Sequence, residues 1–356
     1  MLGYLTEFVT QVNKIADILE SVSKMLYMKS RIALRLTAAA LAVTLGATAS
    51  PSLAATKPAA KKIALPHLTG TLFYHRYSRY QAWDATMWSL DLVSKKLTQI
   101  NKNWTTVLSP INAHPSPDGQ YITFMGSPTT SPTKEWDVFV SHWDGTQWAD
   151  PIDLTGPNGK RDEDPKFSPD GIHIAYKEDG VLATMTLTGA DKTYLTAGLP
   201  ESSMPYYTPD GLALLFERSG QIYLLKDGVT TQMVNPPGIS SYYPIGVDSK
   251  RFLFTRVQLS QHDGIYWGYY NGAKPQPLFF NSRQFDSSDS YPYQNGAKYI
   301  FLTSGDYTIF KGGYNLMVAD LANKKNYNID TLYGNVNTDL QELGPSWSAA
   351  RYIPAP

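Results

Sequence analysis

The 356-residue chain has no cysteine, 31 Lys and Arg against 31 Asp and Glu, 17% charged and 13% aromatic residues. The missing cysteine excludes a disulfide scaffold, a thiolate-bound metal and a cysteine nucleophile. With 42% apolar residues the chain can bury a sizeable core, and a formal charge of zero supplies no field that would collect nucleic acid.

In chain order, residues 1–27 space Leu5, Phe8, Val12, Ile15, Leu19, Val22 and Leu26 at helical intervals. That is the pattern of an amphipathic helix, although a start codon assigned too early explains the same residues. From Met28, the basic residues Lys29, Arg31 and Arg35 precede an apolar stretch from Leu36 to Leu45, then small residues to Ala55. This order is the grammar of a secretory signal over 28–55, with cleavage after Ala49 or Ala55, and predicts a periplasmic or secreted protein. The apolar stretch is shorter than the about 20 residues of a transmembrane helix, so no membrane span is expected. Removing residues 1–55 leaves 26 basic against 28 acidic residues. Residues 56–65 read as a linker and 66–356 as one domain.

That domain repeats. Residues 112–126, 164–180, 204–220, 243–257 and 291–305 align on the turn positions Gly119, Gly171, Gly211, Lys250 and Gly296, spaced 52, 40, 39 and 46 residues apart. Residues 344–353 form a sixth, partial copy. In each, a segment with Pro and an aromatic runs into Ser/Thr-Pro-Asp-Gly, where Pro presets φ and Gly accepts a positive φ, giving a tight turn. An alternating apolar strand follows, such as Tyr121-Ile122-Thr123-Phe124, then a third strand such as Asp137-Val138-Phe139-Val140 and a short fourth. Four antiparallel strands every 40 to 50 residues is the period of a propeller blade, and no helical periodicity competes after residue 56.

The Ser-Pro-Asp-Gly turn followed by an alternating strand resembles the WD40-like PD40 repeats of the TolB-type β-propeller, with good copies at 115–126, 165–176 and 205–216 and three degenerate ones. The resemblance covers about residues 66–353 and implies an all-β, six-bladed propeller. TolB carries an additional α/β domain before its propeller, for which Thr56 to Leu65 leaves no room, so a lone propeller is expected. The first blade begins with second-strand residues Thr71 to His75, followed by Met87 to Leu92 and Lys96 to Thr98, and lacks an innermost strand. Pro345-Ser346-Trp347-Ser348 supplies it, closing the ring without a free edge. A monomer is expected.

Topology puts the Ser-Pro-Asp-Gly turns at one end of the ring. The long segments 76–85, 126–135, 258–264, 281–290, 305–313 and 331–343 then fall at the other, where binding usually resides. Inner strands begin there, which is expected to place Asn112, His114, Asp164, Met204, Tyr206, Tyr242, Tyr243 and Tyr291 around the channel mouth. Arg76, Arg79, Tyr80, Trp83, Trp104, Arg161, Arg283, His262 and Tyr307 come from surrounding loops. Singly, such aromatics also fill gaps between blades. Together, rings beside Arg and Asn suit a polysaccharide or oligosaccharide, acidic polymers included, or a segment of an envelope protein. The run Arg161-Asp162-Glu163-Asp164 offers carboxylates to a channel cation such as Ca²⁺, or bonds neighbouring amides. No His pair has metal-ligand spacing, and G-x-S-x-G, P-loop and G-x-G-x-x-G motifs are absent. Two functions remain: a binding module, or a polysaccharide lyase acting on a uronic-acid polymer by β-elimination. The lyase would use His114 as base, Tyr243 as acid and Arg161 to neutralise the carboxylate.

Overall fold

The computed structural model describes residues 65–354 apart from 132, 235–238, 259, 260, 295, 297 and 306–312. The signal and the first 27 residues lie outside the described residues. Twenty-four strands form six four-stranded antiparallel blades. Blade 1 comprises β1 (Thr71–Tyr77), β2 (Thr86–Asp91) and β3 (Leu97–Gln99), and blade 2 comprises β4 (Val107–Pro115), β5 (Tyr121–Pro128), β6 (Asp137–His142) and β7 (Ile152–Asp153). Blade 3 is β8 (Asp162–Phe167), β9 (His173–Glu178), β10 (Val181–Thr186) and β11 (Thr193–Tyr194); blade 4 is β12 (Ser203–Tyr207), β13 (Leu214–Arg218), β14 (Gln221–Lys226) and β15 (Val229–Val234). Blade 5 is β16 (Ile239–Gly246), β17 (Arg251–Gln258), β18 (Gln261–Tyr269) and β19 (Gln276–Pro277); blade 6 is β20 (Asp286–Pro292), β21 (Tyr299–Gly305), β22 (Asn315–Asp320) and β23 (Lys325–Asn328). After the short helix α1 (Ile329–Tyr333), β24 (Gln341–Ser348) returns to pair with β1 as the innermost strand of blade 1, as expected. The ring is stitched by both ends of the domain.

The blades hold together through apolar faces that alternate along each strand. Phe73 and Met87 of blade 1 pack with Ile122, Phe124 and Phe139 of blade 2. Val138 and Val140 pack with Ile174 and Tyr176 of blade 3, and Ala175 and Leu182 with Leu214 and Phe216 of blade 4. Leu215 and Ile222 meet Phe252 and Phe254 of blade 5, Leu253 and Ile265 meet Ile300 and Leu302 of blade 6, and Phe301 and Val318 close on Leu72 and Tyr74. Because each blade has a buried face on both sides, its strands carry period-2 apolar residues in both phases.

The Ser/Thr-Pro-Asp-Gly turns share one hydrogen-bond pattern. Ser168 Oγ donates to Asp170 Oδ1 at 2.5 Å, the amide of His173 donates to Ser168 Oγ at 3.0 Å, and Gly171 donates its amide to Ser168 O at φ +74°. Thr208, Asp210 and Gly211 repeat it in blade 4. Those bonds hold the Asp170 and Asp210 carboxyls below their ordinary range, the Ser168 and Thr208 hydroxyls contributing most.

Three expectations change. Arg76 and residues 286–290 belong to strands rather than loops, and 258–264 is largely a continuation of the β17–β18 hairpin, because strand pairing persists from Ile239↔Gln258 inward. Helix α1 breaks the all-strand reading after residue 56. Asn328 caps it by accepting the amide of Asp330, and Ile329 and Leu332 are buried against blade 6 and blade 1. Five residues give too little periodicity to register in sequence.

Each inner strand has a β-bulge, and the residue there takes a positive φ: Asn112 (58°), Asp164 (55°), Met204 (54°), Tyr243 (50°), Asp289 (42°) and Gly344 (61°). A bulge re-aims side chains and ends regular pairing. Repeated six times, it builds a ring around the channel.

Candidate functional site

The channel is lined in two layers. The bulge residues Asn112, Asp164, Tyr243, Asp289 and Gly344 form the one nearer the loop face. The residues two further along each strand form the other: His114, Lys166, Tyr206, Ile245, Tyr291 and Ser346. The waist between them holds about 470 Å³ of space, open at both ends. The loop-side mouth, about 660 Å³, adds Tyr77, Tyr80, Asp263 and Tyr314. The turn-side mouth, about 900 Å³, shares His114, Tyr206 and Tyr291 with the waist.

The two layers differ in charge. Asn112 donates its side-chain amide to Asp164 Oδ1 at 3.2 Å, and the Gly344 amide donates to Asp289 Oδ2 at 3.1 Å, so each carboxylate is fixed by a neighbouring blade's bulge. Burial pushes the Asp289 carboxyl up. Asp263 at the loop-side mouth is pushed up to about 7 by burial and by the charges of Asp286 and Asp289. This mouth is acidic. In the deeper layer, desolvation lowers the Lys166 ammonium, whose hydrogen bond goes to Pro165 O at 3.2 Å.

His114 accepts the Phe167 amide on Nδ1 at 3.1 Å, and burial with the Lys166 charge drives its ring far below the ordinary histidine range. A neutral imidazole whose Nδ1 accepts must carry its proton on Nε2. That nitrogen is buried without a protein partner among the described residues. His114 therefore presents a donor to the channel. A base for proton abstraction needs a free lone pair, and this one is occupied, which removes the chemistry the lyase reading required of it.

The structure sorts the remaining candidates. Tyr80, Trp83 and Arg161 meet at the loop face: Tyr80 and Trp83 lie 6.1 and 4.4 Å from Trp136 between ring centroids, and Arg161 donates to Tyr80 OH at 2.9 Å. Tyr243 stands 36% exposed in the mouth, its phenol raised by desolvation and then by the Asp289 and Asp164 charges. Arg79 is exposed on the same loop as Tyr80. Arg283 is exposed on the β19–β20 loop, away from the channel-lining set, and Tyr242 is half-buried beside Tyr243 without lining the channel. His262 Nδ1 lies 3.3 Å from Asp286 Oδ1. Tyr307 lies outside the described residues. Arg76 is not at the mouth: its guanidinium is buried, 2.8 Å from Glu342 Oε1, donating to Tyr74 OH and Val336 O and stacked 4.5 Å over Trp88. Trp104 stacks on Phe124 at 5.1 Å between blades 1 and 2 and donates to Trp148 O.

The acidic run does not make one cation site. Strand alternation and the bulge at Asp164 send Asp162 into the blade 2–3 interface beside Asn158, Glu163 to Arg161 and Lys177, and Asp164 to the channel. Among the described residues no three His, Asp or Glu side chains gather as metal ligands.

The sequence expectation sets Tyr291 at the loop-side mouth with Tyr243, each being followed by Pro. The turn hydrogen bonds correct this. Gly296 donates to Tyr293 O as Gly171 does to Ser168 O, so Asp289, four residues before Tyr293, is the counterpart of Asp164, and Tyr291 sits one layer deeper. The bulge, not the proline, sets the register. Lys166, Asp289, Ser290, Ser346 and Trp136 escaped the sequence reading. Lys166 was nonetheless visible as the residue two before Ser in the repeat, the column that holds His114 and Tyr206.

No family model matches the chain, and no curated protein does. Solved structures match along most of it. TolB from Acinetobacter baumannii superposes with a TM-score of 0.61 at 16% identity, over 80% of this chain and 68% of that one. The putative TolB of Agrobacterium tumefaciens gives 0.53 at 17%, over 73% and 88%. The fold is a TolB-like propeller. Kuenenia stuttgartiensis hydrazine synthase also matches, with a TM-score of 0.57 at 11% identity, covering 81% of this chain and 48% of its own. At these identities the likeness is one of fold, which many functions share.

Proposed function

We propose that this propeller is an exported, non-catalytic binding module that captures an extended polar ligand, a neutral glycan or a peptide segment, across the channel mouth on its loop-rich face. The observation that carries the reading is the convergence of Tyr77, Tyr80 and Tyr243 around a cavity of about 660 Å³ lined by Asp263 and Asp289. Aromatic faces stack on sugar rings and apolar side chains, and carboxylates accept from hydroxyls or pair with basic groups. The acidic polysaccharide considered from sequence fits less well. Its carboxylates would face those of Asp263 and Asp289, while Arg161 is already paired with Glu163 at 2.7 Å and Arg76 with Glu342.

Calorimetric titration of the full chain with neutral oligosaccharides, basic peptides and acidic oligouronates tests this. A neutral or basic ligand should bind, and Tyr243→Ala should weaken it by about 1–3 kcal/mol. Val229→Ala, at the exposed start of β15, should leave affinity unchanged. An oligouronate that develops the absorbance of an unsaturated uronosyl product would replace this reading with the lyase. Export rests on residues 28–55, and among the described residues no helix is long and apolar enough to cross a membrane. Protein from the native host should begin near Ser50 or Thr56, and recovery of intact residues 1–27 would overturn the misassigned start and favour the amphipathic helix.

A further inference from the structure

The mouth on the Ser-Pro-Asp-Gly side has a different chemistry from the loop rim. Much of its wall is apolar, built by Pro117, Pro169, Pro209, Phe167, Tyr207 and Trp347 from the turns and strand ends of successive blades, with Ser116, Ser168, Gln294 and Ser348 between them. The same repeat that makes the turns therefore makes a funnel of prolines and rings. At its floor lie the polar side chains of the deeper channel layer.

Several of those polar groups lack partners. His114 Nε2 is buried with no acceptor, at 7% residue exposure, and Ser290 Oγ and Ser346 Oγ, each in a residue 2% exposed, are likewise unsatisfied. The Lys166 ammonium makes one hydrogen bond, to the carbonyl of its own neighbour, and forms no ion pair among the described residues. A buried donor without an acceptor is costly, and the Lys166 ammonium feels the Asp164 and Asp289 charges of the adjacent layer without a hydrogen bond to either. Three unsatisfied side-chain atoms and an ammonium with a single hydrogen bond line one cavity of about 470 Å³.

We propose that the turn-side mouth is a second binding site, which takes a small monocarboxylate with an apolar body, the body in the proline-aromatic funnel and the carboxylate on Lys166 and the His114 Nε2–H at the waist. Lys166 supplies the charge, while His114 and the serine hydroxyls supply neutral donors, enough for both carboxylate oxygens. Because Asp164 and Asp289 already act on the ammonium, the site can take at most one further negative charge. A dianion would leave a charge uncompensated next to Asp164 and Asp289 in the adjacent layer. Those two carboxylates lie toward the loop face, held by Asn112 and Gly344, so they repel an anion arriving from that side and leave the turn side as its entrance. Apolar walls with a few convergent polar groups are the usual composition of a small-molecule site.

The experiment compares three ligands of one shape on the full chain: 3-phenylpropionate, 3-phenylpropan-1-ol and 3-phenylpropylammonium, titrated by calorimetry. The acid should bind at least tenfold more tightly than the alcohol and the amine more weakly than both. Lys166→Met should abolish the acid's advantage while leaving the alcohol unchanged, and Ser346→Ala should reduce it several-fold. Equal affinity for the three ligands, no binding of the acid at millimolar concentration, or an acid preference that survives in Lys166→Met would each overturn the proposal. The three-ligand comparison needs no variant, so it decides even if Lys166→Met fails to fold. The loop-rim reading stands or falls separately, since its ligands and its test residues are on the opposite face.

Discussion

The Arg351 guanidinium grips the Asp91 carboxylate with two hydrogen bonds, Nε to Oδ2 at 2.7 Å and Nη2 to Oδ1 at 2.8 Å, across 260 residues of sequence. Partial burial alone would raise the carboxyl, but the bonds from Arg351 and Ser94 hold it well below its usual range. The contact fastens the segment after β24 to the end of β2. It is the outermost of the closures that join the two ends of the domain, backed by Thr71 Oγ1 donating to Ala350 O at 2.9 Å.

Closure is carried mainly by the β1–β24 pairing rather than by that ion pair. Arg351→Ala, at an exposed side chain, should cost little, because solvent screens the pair. Deleting residues 344–356 should be far more damaging, because it removes most of the innermost strand of blade 1 and opens the ring. Thermal unfolding checks both. A truncated chain that melts with the full-length protein would overturn the stitched blade.

Asp137 gives the domain a pH dependence. Its side chain is fully buried next to two further carboxylates, and its carboxyl is pushed up to about 8, first by desolvation and then by Asp153 and Asp162. The folded protein therefore holds this proton more tightly than the unfolded chain, whose carboxyl titrates near its ordinary value. Between about pH 4 and 8 the native state binds more protons, so the contribution of this group to stability declines as pH rises. Asp137→Asn should flatten that slope and raise the melting temperature at pH 8 and above relative to wild type. Equal slopes for the two proteins between pH 5 and 8 would contradict the assignment.

Phe124 lies between Trp104 and Phe139 in a parallel stack with centroid distances of 5.1 and 5.9 Å. Phe124→Ala should cost about 3–5 kcal/mol in urea unfolding, the range for emptying a buried aromatic site. Trp104→Ala should also lower stability while sparing ligand binding at the loop rim, because its ring belongs to the blade 1–blade 2 interface. Loss of rim binding without loss of stability would return Trp104 to the site.

Gly344 is the one glycine among the six bulge residues. A Cβ there would come within 2.8 Å of both Asn112 Oδ1 and His75 Nδ1, in addition to the strain of a positive φ. Gly344→Ala should destabilise by about 1–3 kcal/mol. Met204→Ala, at the equivalent position of blade 4 with a side chain already accommodated, should cost less. If the order is reversed, the channel ring is looser than the hydrogen bonds of Asn112 and Asp289 imply.

The repeat, the six-blade count, the stitched first blade and the turn chemistry were all legible in the sequence. Each depends on local signals, a Ser/Thr-Pro-Asp-Gly turn and period-2 alternation, that recur within one blade. The roles of Arg76 and Trp104 were not legible, because burial of a long side chain depends on the neighbouring blade: Glu342, 266 residues away, is what holds Arg76 inside. The acid layer and the donor layer of the channel needed the tertiary structure for a related reason. A bulge shifts the inward face by one residue, and Asp289 and Tyr291 exchange layers because the turn of blade 6 keeps its hydrogen-bond register while its Tyr-Pro pair is displaced by two. Local patterning therefore determined the ring, and the cooperation of six bulges from six separate stretches of chain decided what faces its axis.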